Sequence, residues 1–283
     1  MLNKRDHLHL IGIGGAGLSA IARVLHERGF TVSGSDQSAS PAVDDLRALG
    51  IRVVVGHAAE NLAGADVVIR SSAVTDANME AAAALAAGIP VLKRSDILPD
   101  LMAGKTAVAV AGTHGKTTTT SMIAWLLSEQ ELDPSYIIGG EVTGLGTNAH
   151  AGDGPHFVIE ADEYDHMFLG LRPDIAVVTN VEHDHPDLFP TEAAFVGAFE
   201  QFVDRIAPDG TLIAWGDSQN TRDLAARASG PGRRVITYGF GPANDLRPER
   251  PEAVPGAGYV FELAGGAGGR SGLHSGCPGS TTC

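Results

Sequence analysis

Short apolar runs at His7–Ile13, Phe30–Ser35, Ile51–Val55, Asp66–Ser71 and Ile89–Leu92 have the length of strands buried in a parallel sheet. They alternate with stretches of helical spacing. Gly15–Arg28 repeats apolar residues at Leu18, Ile21, Ala22 and Leu25, and further helices are expected near Pro41–Leu49 and Asn78–Ala87. A second series begins at Thr106, with strands at 106–111, 157–161 and 174–181, an amphipathic helix over 191–207, and strands near 211–215 and 235–239. This alternation predicts the α/β class: a Rossmann-like parallel-sheet domain over residues 1–104, then a P-loop α/β domain over 105–262 that is incomplete at its C-terminal end. The boundary falls near Ala103–Lys105. Beyond Ala243 Pro and Gly are dense, and Gly265–Cys283 offers almost nothing to bury, so 263–283 is expected to be a disordered or aberrant tail.

Composition narrows the function classes. The 283 residues fit about two domains, and 43% hydrophobic with only 5% aromatic residues suits tight helix-on-sheet packing. Twenty basic against thirty-four acidic residues give a formal charge of −14, which repels a nucleic-acid backbone, so anionic small ligands must be gripped locally. Cys277 and Cys283 both sit in the tail and build no disulfide framework. No apolar run reaches the roughly 20 residues that span a bilayer, and no secretory leader is evident; the expected compartment is the cytoplasm, with no membrane partner.

The strongest chemical signal is Gly112-Thr113-His114-Gly115-Lys116-Thr117-Thr118, which follows the apolar strand 106–111 and opens a helix. Backbone N–H groups at such a turn face a polyphosphate, Lys116 neutralises it, and Thr117 offers a hydroxyl to Mg²⁺. The longer general pattern wants glycine where Val110 stands, so this is a shorter variant, and an ordinary strand-to-helix turn with a solvated lysine is the alternative. Gly12-Ile13-Gly14-Gly15-Ala16-Gly17, with Asp36 at the end of the second strand, has the dinucleotide fingerprint and reads as a site for NAD, FAD or the pyrophosphate of a UDP-sugar; a purely structural turn also fits. Ser71-Ser72-Ala73 stands at the same sheet edge, either as a ligand contact or as a turn. Glu160-Ala161-Asp162-Glu163-Tyr164-Asp165 ends an apolar strand and can hold Mg²⁺ against phosphates, unless it is only a solvated acidic loop. Asn180-Val181-Glu182-His183-Asp184-His185 ends another strand; with no cysteine nearby, its histidines favour Mg²⁺ with at most one imidazole over zinc, or else form a polar loop.

Taken in order, HLHLIGIGGAGLSAIA, VSGSD, SSAV, AGTHGKTTTTSMI, IIGGEV, LGTNA, EADEYD and TNVEHDHPD resemble the Mur ligases across residues 7 to about 240. The resemblance is nearest to the branch that joins L-alanine to the carboxylate of UDP-N-acetylmuramate. It implies a first domain that binds UDP-sugar rather than NAD, through Gly14, Gly15, Ser35, Asp36 and Ser72. It implies ATP on Gly112–Thr118, Mg²⁺ held by Thr117 and Glu160 with His185 serving a second Mg²⁺ site, and Lys116, Glu160 and His185 as the catalytic set. The reaction so implied passes through an acyl phosphate in peptidoglycan precursor synthesis. Two departures are expected to matter: no lysine follows Lys116, although some members carry a carbamoylated one, and the adenine-contacting segment and amino-acid-binding third domain of full-length members are not found after Tyr259, so the chain by itself is expected to bind UDP-muramate without turnover. The rival readings are a tripeptide-attaching ligase of the recycling pathway, an NAD-dependent oxidoreductase, and a non-catalytic nucleotide-binding module.

Overall fold

The computed structural model describes residues 2–140, 142–254, 258–265 and 271–275. Five parallel strands form the first sheet in the order β3-β2-β1-β4-β5: β1 His7–Ile11, β2 Thr31–Asp36, β3 Arg52–Val55, β4 Val67–Arg70 and β5 Val91–Lys93. Helices α1 Ala16–Glu27, α2 Pro41–Ala48, α3 Met79–Ala86 and α4 Arg94–Met102 connect and cover it. The order reverses between β1 and β4. A crevice at the carboxyl ends of those strands is where such sheets take ligands, and it carries the Gly12–Gly17 turn on one side and Ser71–Ser72 on the other.

The second sheet runs β15-β14-β13-β12-β11-β10-β6-β9-β7-β8. Its centre is parallel, with β6 Thr106–Ala111 flanked by β9 His156–Glu160 and β10 Ile175–Val178, and then β11 Thr211–Trp215 and β12 Arg234–Tyr238. β7 Ser135–Ile137 pairs parallel with β9 and antiparallel with β8 Ala149–His150. α5 Lys116–Glu129 follows β6, while α6 Glu192–Asp204 and α7 Gln219–Ala228 flank the far half. α6 buries Phe195, Ala198, Phe199, Phe202 and Val203 on one stripe, and Phe168 stacks on Phe202 at 5.1 Å between near-parallel rings. Leu8, Leu10 and Ile21 from the first sheet's layer belong to the same buried cluster as Phe157 and Phe168. Among the described residues, no helix is long and apolar enough to cross a membrane.

Three departures from the sequence expectations have physical causes. α4 lies where no helix was expected, because Pro99 sits inside it; proline removes one intrahelical bond, yet Ile97, Leu98, Leu101 and Met102 are buried and hold the helix in place. α7 buries only one large apolar side chain, Leu224, so its periodicity was faint. Past Ala243 the chain continues as sheet: β13 Leu246–Val254 pairs antiparallel with β14 Gly258–Gly265, which pairs with β15 Ser271–Ser275. Main-chain hydrogen bonding to β14 requires no apolar residue, so part of the segment expected to be disordered is strand. Residues 266–270 and 276–283, with Cys277 and Cys283, lie outside the described residues, as does Glu141.

Candidate functional site

At the carboxyl edge of the second sheet, the turn after β6 is shaped by its two glycines. Gly112 has φ +137°, and a side chain there would strike the Thr179 hydroxyl and lie 3.1 Å from the Asn180 backbone; Gly115 caps α5 in the left-handed region at φ +82°. The loop after β10 straps this turn down. Thr113 N–H donates to Asn180 O (3.1 Å), His114 N–H to Asn180 Oδ1 (2.8 Å), and Thr179 Oγ1 to His114 O (2.6 Å). Thr113 Oγ1 donates to Glu182 O and accepts from Glu182 N–H, both at 2.9 Å. The amides of Thr113 and His114 are therefore occupied within the protein. Those left for an anion belong to the first turn of α5, which a helix leaves without internal partners. A cavity of about 300 Å³ opens there, lined by Thr113 to Thr118 and Glu160.

Glu160 comes off the tip of β9 directly across from this helix start. Its Oε1 accepts from Thr117 Oγ1 at 3.0 Å and its Oε2 from Gly139 N–H at 2.8 Å. A Cβ on Gly139 would sit 2.8–2.9 Å from both carboxylate oxygens, so a side chain there would push the Glu160 carboxylate out of this position. Lys116 Nζ donates to Gly112 O (2.6 Å), Thr113 O (3.2 Å) and Glu163 Oε1 (2.9 Å). Glu163 Oε2 is equally near the ammonium at 2.9 Å but is not aligned for a hydrogen bond. Glu163 is fully buried; burial pushes its carboxyl above the ordinary range, and the Lys116 hydrogen bond works against that push.

The structure places the two histidines of the 179–187 loop in different roles. His183 Nε2 is 2.8 Å from Phe189 O, so its ring serves the loop. His185, at φ +52°, stands 3.7 Å from Glu163 Oε1 and edge-on to Tyr164 at 5.2 Å between ring centroids. Thr117 and Glu160 are thus joined directly, while His185 faces Glu163. Among the described residues no three His, Cys, Asp or Glu side chains converge on a metal position. That donor set fits Mg²⁺ completed by phosphate oxygens, the usual arrangement for this ion, and does not fit a closed zinc cage.

At the first sheet's edge, Gly12 (φ +80°) and Ile13 donate N–H to Ser35 O at 2.8 and 3.0 Å, and Gly14 N–H donates to Asp36 Oδ2 at 2.8 Å. Asp36 is thereby built into the glycine turn. Gly15 and Ser72 are exposed at the mouth of the crevice. Ser35 differs from its expected place among ligand contacts: it is fully buried, with its hydroxyl donated to Glu80, so it supports the pocket from beneath.

Residues 7–106 match the Mur ligase family catalytic domain, and residues 110–280 match the Mur ligase middle domain. The chain belongs to the Mur ligase family. It is 51% identical over 245 residues to the UDP-N-acetylmuramate–L-alanine ligase of Renibacterium salmoninarum, an alignment that covers 87% of this chain and 53% of that protein. The chain thus spans about half the length of the curated relatives it matches. Among solved Mur ligases, it superposes on the UDP-N-acetylmuramate:L-alanyl-gamma-D-glutamyl-meso-diaminopimelate ligase of Neisseria meningitides with a TM-score of 0.81 at 31% identity, covering 92% of this chain and 84% of that one. It superposes on the UDP-N-acetylmuramate-alanine ligase of Thermotoga maritima with a TM-score of 0.78 at 28% identity, covering 94% and 59%. Three residues of this Mur ligase chain escaped sequence reasoning as site elements. Glu163 and Gly139 lay inside motifs noted only as wholes, and Glu80 lay in the stretch Asn78–Ala87 read only as a helix; pairing an acid with a cationic or hydroxyl partner far along the chain takes the fold.

Proposed function

We propose that this chain is the substrate- and nucleotide-binding part of a cytoplasmic ligase that joins L-alanine to the carboxylate of UDP-N-acetylmuramate in peptidoglycan precursor synthesis. Residues 1–104 hold the UDP-sugar and 105–262 hold ATP with Mg²⁺. The observation that carries this reading is the direct opposition of the α5 start, with Lys116 and Thr117, to Glu160 across one sheet edge. In this reading the sugar carboxylate attacks the γ-phosphorus, the bond to ADP breaks, and the amine of alanine then displaces phosphate from the acyl carbon. Two anions must meet, so positioning and cationic screening carry most of the catalysis. Lys116 supplies one fixed cation. Thr117 and Glu160 are the residues to hold Mg²⁺, and the imidazole of His185, on the Glu163 side, would serve a second ion; both would screen phosphate charge. The turn's straps to Asn180 and Glu182 keep the phosphate site in shape before ligand arrives.

Curated relatives at 42–51% identity are alanine-adding ligases, which favours alanine over a tripeptide as acceptor. The NAD reading leaves the Gly112–Thr118 turn and the Glu160 opposed to it without a role. Calorimetry tests the proposal. UDP-N-acetylmuramate should bind, and a non-hydrolysable ATP analogue should bind in a Mg²⁺-dependent manner that Lys116→Ala removes. Absence of both heats, or NADH binding in their place, refutes it. In an assay of phosphate release by a full-length version, L-alanine should be preferred to the tripeptide.

A further inference from the structure

Arg94, the first residue of α4, belongs to neither glycine turn in sequence, yet it lies between them. A Cβ on Gly17 would come within 2.8 Å of Arg94 Nη1, so the guanidinium lies against the N-terminal turn of α1. Its other end reaches the acidic segment after β9, where Nη2 is 3.4 Å from Asp162 Oδ2 and 3.5 Å from Tyr164 O. Both contacts are long, and Nε is buried with no hydrogen-bond partner in the protein. The side chain is 15% exposed.

This placement runs against ordinary electrostatics. A helix N-terminus carries positive partial charge and unpaired N–H groups, so it favours anions and disfavours a neighbouring cation. α1 has no acidic residue in its first turn and no side-chain cap at Gly15. Asp162 and Tyr164 O engage only Nη2, at long distance, so the guanidinium keeps donors to share an external anion with the helix amides. A planar fork of donors suits the paired oxygens of a diphosphate.

We infer that Arg94 is a substrate-binding residue that clamps the diphosphate of the UDP-sugar against the Gly12–Gly17 turn. The inference rests on the proposed UDP-sugar specificity and adds the cation that the glycine turn lacks. On this account Arg94 trades its weak hold on Asp162 and Tyr164 for charge-assisted bonds to phosphate.

The test is calorimetric titration of the wild-type chain, Arg94→Gln and Asp162→Asn with UDP and with UDP-N-acetylmuramate, using circular dichroism and thermal melts to confirm that each variant is folded. Arg94→Gln should weaken UDP and UDP-N-acetylmuramate alike, by about 10- to 100-fold, and should flatten the salt dependence of the UDP dissociation constant. Asp162→Asn frees the guanidinium and should leave UDP affinity equal or tighter. Failure of the wild type to bind UDP overturns both the specificity and the clamp. Wild-type binding with less than a threefold loss in Arg94→Gln overturns the clamp alone. So does a loss confined to UDP-N-acetylmuramate, which gives the guanidinium to the sugar carboxylate, or an equal loss in Asp162→Asn, which reduces Arg94 to an inter-sheet strut.

Discussion

Glu80 should be one of the most costly single positions in the first sheet's layer, and the structure allows the cost to be worked out. It sits in the first turn of α3 and is fully buried. Oε1 accepts from Ala58 N–H at 3.1 Å and from Asn61 Nδ2 at 2.6 Å; Oε2 accepts from the Ser35 hydroxyl and lies 3.4 Å from His9 Nε2. Burial alone would raise its pKa. The donors from His9, Ser35, Asn61 and Ala58 outweigh that and bring it to about 2, from an ordinary 4.5. A fall of this size corresponds to about 3 kcal/mol of stabilisation by the ionised form. Because the folded-state pKa is the lower one, that stabilisation is complete above about pH 4.5 and is lost as pH falls toward 2.

Glu80→Gln keeps the volume but removes the charge and turns an amide N–H₂ toward donors, so about 2–3 kcal/mol should be lost at pH 7; Glu80→Ala, which also strands buried donors, should lose about 3–5 kcal/mol. Urea unfolding followed by circular dichroism reads this as a lowered midpoint with an unchanged slope, and thermal melts as a drop of roughly 4–12 °C. Repeating the urea series from pH 7 to pH 3 should show the gap between wild type and Glu80→Gln narrowing below about pH 4.5. A Gln variant within 0.5 kcal/mol of wild type at pH 7, or a gap that stays constant down to pH 3, would refute the claim that the buried carboxylate is ionised and stabilising.

Gly139→Ala places a methyl 2.8–2.9 Å from the Glu160 oxygens; calorimetry should show Mg²⁺-dependent binding of the ATP analogue weakened about tenfold, with UDP-sugar affinity unchanged. Thr113→Val deletes the hydroxyl that both donates to and accepts from Glu182, and should cost about 1–2 kcal/mol in urea unfolding together with nucleotide affinity, whereas Thr113→Ser should retain both. Thr191 caps α6 by accepting from Ala194 N–H at 3.2 Å, so Thr191→Ala should lower stability by about 1 kcal/mol without altering either ligand's binding isotherm.

Much of the architecture was legible because the two nucleotide-type turns follow strands rich in apolar residues, β1 interrupted only by its histidines and β6 continuous from Ala107. β1, α1, β2 and β6 announce themselves by periodicity or apolar run, and α5 by the turn that opens it, with glycines whose conformations are now seen to be needed at Gly12, Gly112 and Gly115. α4 was hidden by Pro99, and β7 by its three-residue length. In the site, Glu160 was readable as a strand tip. Glu163 was not: it meets Lys116, 47 positions earlier in the chain, from the head of the turn that follows β9, a partnership that residue types do not encode. Ser35 misled for the opposite reason, since a strand's period of two does not reveal that the side chain at its end meets a buried glutamate from another helix.

The short segment after β9 ties the two ligand edges together. Glu160 holds Thr117, Glu163 holds Lys116, and Asp162 holds Arg94, so three successive acids spaced within four residues partner the hydroxyl and both cations that face the phosphate groups of the two proposed ligands. In a chain of net charge −14 that expects two polyanions, cations must be concentrated locally and kept from collapsing onto surplus acid. Burying Glu163 beneath Lys116 and giving Asp162 only a 3.4 Å hold on Arg94 does this unequally: the lysine is anchored, the arginine is loosely restrained. A phosphate that draws Arg94 away changes the charge balance of the same segment that presents Glu160 to the nucleotide. Whatever free energy one ligand spends on that segment is felt by the other to the same extent, because linkage between two binding sites is reciprocal.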